Sequence, residues 1–116
     1  MVDLYVPVSG FLCDATFGNK FDGYVASTTL TSGAVDISGY RGFAFSFFCP
    51  ATGTPNGAYQ LQITVDGTNW VNSGSSVAVA GAMNTVVELA SFAKAFRVVY
   101  TRVSGSITLT AKYVLK

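Results

Sequence analysis

The chain has 116 residues, half of them apolar and only 11% charged, and its seven basic and six acidic residues leave a formal net charge of +1. That length suits one domain with its own core and excludes two ordinary ones. The missing dense basic run removes the electrostatic footprint of a nucleic-acid binder, and the absence of histidine removes the commonest general base, the usual metal ligand and every Ser-His triad.

Typical soluble domains carry about 25% charged residues. Here Ser, Thr, Asn, Gly and apolar groups must cover the surface, which suits a protein partly covered by its own copies or by a larger assembly. The N-terminus has Asp3 and no basic stretch, so a secretory signal is not expected. The longest apolar run, residues 42–50, is broken by Ser46 and is far too short for a bilayer. The expectation is a chain made in a cytoplasm, soluble there, with no membrane partner.

Residues 1–23 stand apart from the rest. They alternate poorly, yet Leu4, Tyr5, Val6, Phe11, Leu12, Phe17 and Phe21 make them too apolar for a disordered tail. Two readings stay open: an irregular lead-in covering one end of its own sandwich, or an arm lying on another chain. On the second reading those seven side chains form an interface. Cys13 and Cys49 read as reduced, packed thiols, the alternative being a disulfide that ties this segment to the domain.

From Tyr24 the pattern is regular, so 24–116 is taken as the folded domain. Residues 24–31 and 34–37 read as short strands split by a Ser32-Gly33 turn. In 41–49, Phe43, Phe45, Phe47 and Cys49 share one face, which must be core. The stretch 50–57, PATGTPNG, is a loop by composition. Tyr59, Leu61, Ile63 and Val65 then alternate with Gln60, Gln62 and Thr64, the period of a half-buried strand. Asp66-Gly67 predicts a tight hairpin turn with positive φ at the glycine, and Trp70, the only tryptophan, opens the returning strand. Residues 76–80 and 85–89 read as strands around a turn. Residues 90–95 fit one helical turn with Ser91 as N-cap. Residues 96–103 form a central strand with Phe96, Val98 and Tyr100 on one face. Ser104-Gly105 turns the chain into a last strand, where Ile107, Leu109, Ala111, Tyr113 and Leu115 face inward. About eight short strands with frequent turns predict an all-β antiparallel sandwich of jelly-roll type.

No constellation of residues states a chemistry. Glu88 reads as exposed, Asp66 is explained by its turn, and Asp36 in VDIS reads as a loop cap. No carboxylate pair, calcium loop or nucleotide-binding junction is present, so neither enzyme activity, a cofactor nor a metal is expected. Trp70, Tyr59 and Tyr40 are candidates for a sugar-stacking platform, against which stands Trp70 as structural filler over the hairpin end. Arg97 and Arg102 flank Tyr100 and read as sheet-end ion pairs or contacts to a neighbouring subunit.

The series GAVDISGYRGFAFSF, GAYQLQITVDGTNWV and FRVVYTRVSGSITLTAKYVLK resembles small β-sandwich structural proteins of bacteriophages, over roughly residues 34–116. The Asp66–Trp70 hairpin also resembles those of discoidin-like sugar- or lipid-binding domains. The segment before Tyr24 has no counterpart. The resemblance implies a virion component, foremost a capsid decoration or cement protein. Its partner would be the major capsid protein; the low charge and the apolar N-terminal segment separately predict a homo-oligomer, a trimer first and a dimer next. The alternative the resemblance implies is a carbohydrate- or receptor-binding module of a tail fibre or spike.

Overall fold

The computed structural model describes residues 8–90 and 93–116, and they form eleven strands and no helix. In chain order these are β1 (Val8–Phe11), β2 (Tyr24–Ala26), β3 (Leu30–Thr31), β4 (Val35–Asp36), β5 (Gly42–Cys49), β6 (Asn56–Thr64), β7 (Val71–Asn72), β8 (Val77–Ala80), β9 (Met83–Ala90), β10 (Ala95–Ser104) and β11 (Ile107–Leu115). All pairings are antiparallel. The first sheet runs β1-β11-β5-β9, with β2 also on β11; the second runs β3-β10-β6-β7, with β4 on β10 and β8 on β6.

β1 and β2 both flank β11, β3 and β4 both flank β10, and β7 and β8 both flank β6. Each pair fills one place, so the eleven strands occupy eight. In chain order the places read first-eighth-third-sixth in one sheet and second-seventh-fourth-fifth in the other. That is the jelly-roll order, and the all-β sandwich predicted from periodicity is the fold observed.

The two-residue period decides what goes inside. Phe43, Phe45 and Phe47 of β5 face Tyr59 and Leu61 of β6 and Phe96, Val98 and Tyr100 of β10, all buried. Ile63 and Tyr113, also expected inside, are partly buried against this core. Phe96 is the hub: its ring stacks on Phe43 at 4.1 Å between centroids and meets Phe45 at 6.0 Å and the edge of Tyr113 at 6.3 Å. Among the described residues no buried side-chain nitrogen or oxygen lacks a hydrogen-bond partner. Tyr59, for example, shares a 3.0 Å hydrogen bond with the Thr85 hydroxyl.

Residues 8–23 belong to this same sandwich. β1 pairs with β11, the Leu12 amide donates to the Ala111 carbonyl at 2.9 Å, and the Ala111 amide donates to Phe21 at 2.8 Å. On the other side Gly33 donates to Cys13 at 2.7 Å and Ala15 to Thr31 at 2.9 Å. The segment therefore straps the first sheet to the second along one flank. Leu12 and Phe21 sit in the core at 1% and 3% exposure, which corrects the expectation that they face another chain: apolar side chains this close to an open flank of their own sandwich are buried there. Leu4, Tyr5 and Val6 lie outside the described residues.

One further expectation changes, and the reading of the cysteines as reduced thiols stands. Of the helical turn expected at 90–95, Ser91 and Phe92 lie outside the described residues, Ala90 ends β9, Ala95 begins β10, and Ala93 and Lys94 between them are not helical. Cys13 and Cys49 are both free thiols; Cys49 is fully buried, its sulfur points at the Gly81 carbonyl at 3.4 Å, and burial raises its pKa.

Candidate ligand-binding face

The Asp-Gly turn is wider than a two-residue hairpin. β6 ends at Thr64 and β7 begins at Val71, leaving a six-residue loop, although Gly67 does have φ +83° as expected. Side-chain chemistry sets the loop's size. Asp66 Oδ1 accepts the amides of Thr68 and Asn69, each at 2.8 Å, and Oδ2 accepts Asn69 Nδ2 at 2.7 Å. The Thr64 hydroxyl, fully buried, donates to Asp66 Oδ1 at 3.1 Å and accepts the Gly67 amide at 3.0 Å. Asp66 thus collects donors that a tight turn would leave to water.

Those donors favour the charged carboxylate and hold its pKa below the ordinary carboxylate range. A depressed folded pKa contributes stability that is present above the unfolded value near 4 and is lost as pH falls through the folded one. Asp66→Ala is therefore expected to speed amide exchange at Thr68 and Asn69 at neutral pH. The difference between variant and parent should shrink as the solution is acidified below pH 4. Equal exchange rates at neutral pH would remove the carboxylate from this role.

The stapled loop sets Trp70 beside the outer face of the second sheet. There the register aligns Asn72 of β7, Gln62 of β6 and Arg97 of β10 in one row across the strands. Arg97 Nε donates to Gln62 Oε1 at 2.8 Å, and Gln62 Nε2 donates to Asn72 Oδ1 at 3.0 Å. Arginine only donates, so it orients the Gln62 amide, which in turn orients Asn72. The Arg97 guanidinium carbon lies 4.3 Å from the centre of the Trp70 ring, a cation–π contact. The row Trp70–Arg97–Gln62–Asn72 is pre-organised and shallow, with Trp70, Arg97 and Gln62 half-buried and Asn72 exposed.

The other sequence candidates lie elsewhere. Tyr59 is core and cannot join a platform with Trp70. Tyr40 is half-buried and lines a separate cleft of about 360 Å³ with Phe11 and Tyr113. Phe11 is half-buried on β1, with Lys112 Nζ 5.1 Å and Lys20 Nζ 5.9 Å from its ring centre. Phe17 is 78% exposed at the tip of a turn whose amides are held by the Asp14 carboxylate. Glu88 is exposed on β9, and Asp36 accepts the Ser38 amide at 2.8 Å, a loop cap as expected. No group of three or more His, Cys, Asp or Glu side chains among the described residues could hold a metal ion, and no helix there is long and apolar enough to cross a membrane. Arg97 with Gln62 and Asn72 is the part of the face that sequence reading missed. The outward phase of Gln62 and Arg97 was visible, but not their register.

No family model matches the chain, and no curated protein matches it. Solved structures do. A cleaved adhesin domain of Lys-gingipain from Porphyromonas gingivalis aligns over 94% of this chain and 97% of its own, with a TM-score of 0.59 and 12% identity. The SPBc2 prophage-derived protein YomS aligns over 99% of this chain and 98% of its own, with a TM-score of 0.58 and 11% identity. The enzymatically active domain of tailspike protein 4 from bacteriophage CBA120 matches 99% of this chain but only 18% of that one, with a TM-score of 0.57 and 12% identity. At such identities the likeness is one of fold.

Proposed function

We propose that this chain is a non-enzymatic structural module of a bacteriophage particle that works by surface recognition. Its ligand-binding face is the outer side of the second sheet, and the ligand is a neutral carbohydrate of the receptor type. The observation that carries the reading is the Trp70–Arg97–Gln62–Asn72 row. A sugar ring offers C–H groups to an aromatic face and neighbouring hydroxyls to fixed amides and a guanidinium, and a neutral ligand suits a surface this poor in charge. The likeness to a prophage-derived protein, a tailspike and an adhesin domain supports both the particle and the recognition role.

The test is titration of the purified protein with host-surface polysaccharide, read by tryptophan fluorescence. Saturable perturbation of Trp70 is expected. Trp70→Ala should weaken binding, followed by calorimetry, at least tenfold, about 1.4 kcal/mol, with unchanged far-UV circular dichroism. No saturable binding to any host glycan would overturn the reading.

A second reading, capsid decoration through contacts with the major capsid protein, is favoured by the first sheet's outer face. Ala44, Ser46 and Val114 line it as a flat floor, with Val86 and Phe48 exposed beside them. Binding of the purified protein to undecorated capsids would support this reading over the first.

A further inference from the structure

The sandwich has four edges, and three are interrupted: β1 with β2, β3 with β4, and β7 with β8 each divide an edge into pieces of two to four residues. Short, broken edges resist pairing with other chains. β9 is different. It is an unbroken edge of eight residues, MNTVVELA, with no glycine, proline or lysine and a single charge at Glu88. Among the described residues no strand pairs with its outer side.

The backbone groups β9 offers follow from its neighbours. The Gly42 amide donates to the Lys116 carbonyl and its carbonyl accepts the Lys116 amide, both at 3.1 Å. Even-numbered residues of β5 therefore turn their backbone groups toward β11 and odd-numbered ones toward β9. Phe43 lies opposite Leu89, Phe45 opposite Val87 and Phe47 opposite Thr85, so these odd residues of β9 bond to β5. The amides and carbonyls of Asn84, Val86 and Glu88 point out from the edge.

We propose that β9 is a homodimer interface: a second copy pairs with it antiparallel about a two-fold axis through Val86, perpendicular to the sheet. In that register the two Val86 residues exchange both backbone hydrogen bonds. Each Asn84 lies opposite the partner copy's Glu88, amide donor against carboxylate acceptor, on the same face. Moving the axis to Val87 sets the Glu88 carboxylate against Val86, and moving it to Glu88 sets two carboxylates together. The exposed Val86 side chains, 64% accessible in one copy, meet across the axis and carry the floor of one copy's first sheet into the next. Because the axis is perpendicular to the sheet, both Trp70 rows face the same way. The dimer does not rest on the carbohydrate reading.

The experiment is sedimentation of the full chain across concentration, with Val86→Lys and Val86→Cys alongside. Opposite residues of a hydrogen-bonded antiparallel pair lie about 5.5 Å apart at Cα, within disulfide reach. Expected are a dimer in the parent, a monomer with unchanged circular dichroism in Val86→Lys, and a reducible covalent dimer in Val86→Cys. The control Val25→Cys, on the far edge at β2 and equally accessible, should cross-link no faster than the parent. A parent that is monomeric or trimeric overturns the interface, as does a dimer that survives Val86→Lys or a Val86→Cys protein that cross-links no faster than the control.

Discussion

Phe96→Ala should lower the free energy of unfolding by about 3–5 kcal/mol, the range for a fully buried phenylalanine replaced by alanine. Phe96 has no exposed surface and its ring touches those of Phe43, Phe45 and Tyr113. Removing it deletes three aromatic contacts at once and opens a cavity where the two sheets meet. The neighbouring rings are themselves held in strand phase and cannot collapse into the space. A domain of this size has about 5–15 kcal/mol in total, so the loss is a large share. Urea titration should show a lower midpoint with an unchanged slope. Phe48→Ala is the control: that ring points outward and is 43% exposed, so its loss should be a small fraction of the Phe96 effect. Comparable losses for the two would mean that the sheets do not meet through Phe96.

Gly105→Ala is the second large effect, and it acts through the backbone. Gly105 has φ +73°, and a Cβ there would lie 2.1 Å from the Thr54 carbonyl oxygen and 2.8 Å from that of Gly53. Gly53 mirrors the arrangement, with φ +82° and a Cβ position 2.7 Å from the Ser106 carbonyl oxygen. The turn between β10 and β11 and the loop between β5 and β6 thus interlock, tied by the Ser106 amide donating to the Gly53 carbonyl at 3.0 Å. Left-handed backbone costs a non-glycine residue roughly 1–2 kcal/mol, and the clash meets main chain that has nowhere to go. A loss of at least about 2 kcal/mol is expected by thermal or urea melts, with the left-handed penalty as its lower part. Gly74→Ala, at φ +71° with nothing within 4 Å, carries the conformational cost alone and should be the milder variant. If the two variants melt together, the interlock contributes nothing.

Much of the fold was legible because a half-buried strand writes its phase into the sequence. Phe43, Phe45 and Phe47, or Leu109, Ala111 and Leu115, could point only one way. Strand partners were not legible: nothing local says that β11 lies between β1 and β5, because jelly-roll neighbours are far apart along the chain. The apolar count of residues 1–23 required burial, which Leu12 and Phe21 show and Phe17 does not, but a count cannot say whether Leu12 and Phe21 meet their own core or another chain. Asp66-Gly67 announced a turn with positive φ, while its length was set by Thr64 and Asn69 side chains competing for the carboxylate. At the candidate face the single tryptophan was conspicuous. Its partner Arg97 hydrogen-bonds Gln62 from 35 residues away, a meeting that depends on register alone.

The strand order also decides how the molecule bears load. Val8 lies opposite Leu115, so the two ends of the described chain leave from the same corner of the first sheet. A pull applied between them draws β1 off β11 in the peeling direction, breaking the rungs from Val8 to Phe11 one after another rather than all together. Tension delivered between Val8 and Leu115 therefore meets these rungs one at a time. Tension delivered along β9, at the opposite edge, must shear the long ladders of β9 on β5 and β5 on β11, whose rungs share the force. A sandwich wound in this way is mechanically weak as a link in a chain and strong as a tile held by its face and far edge.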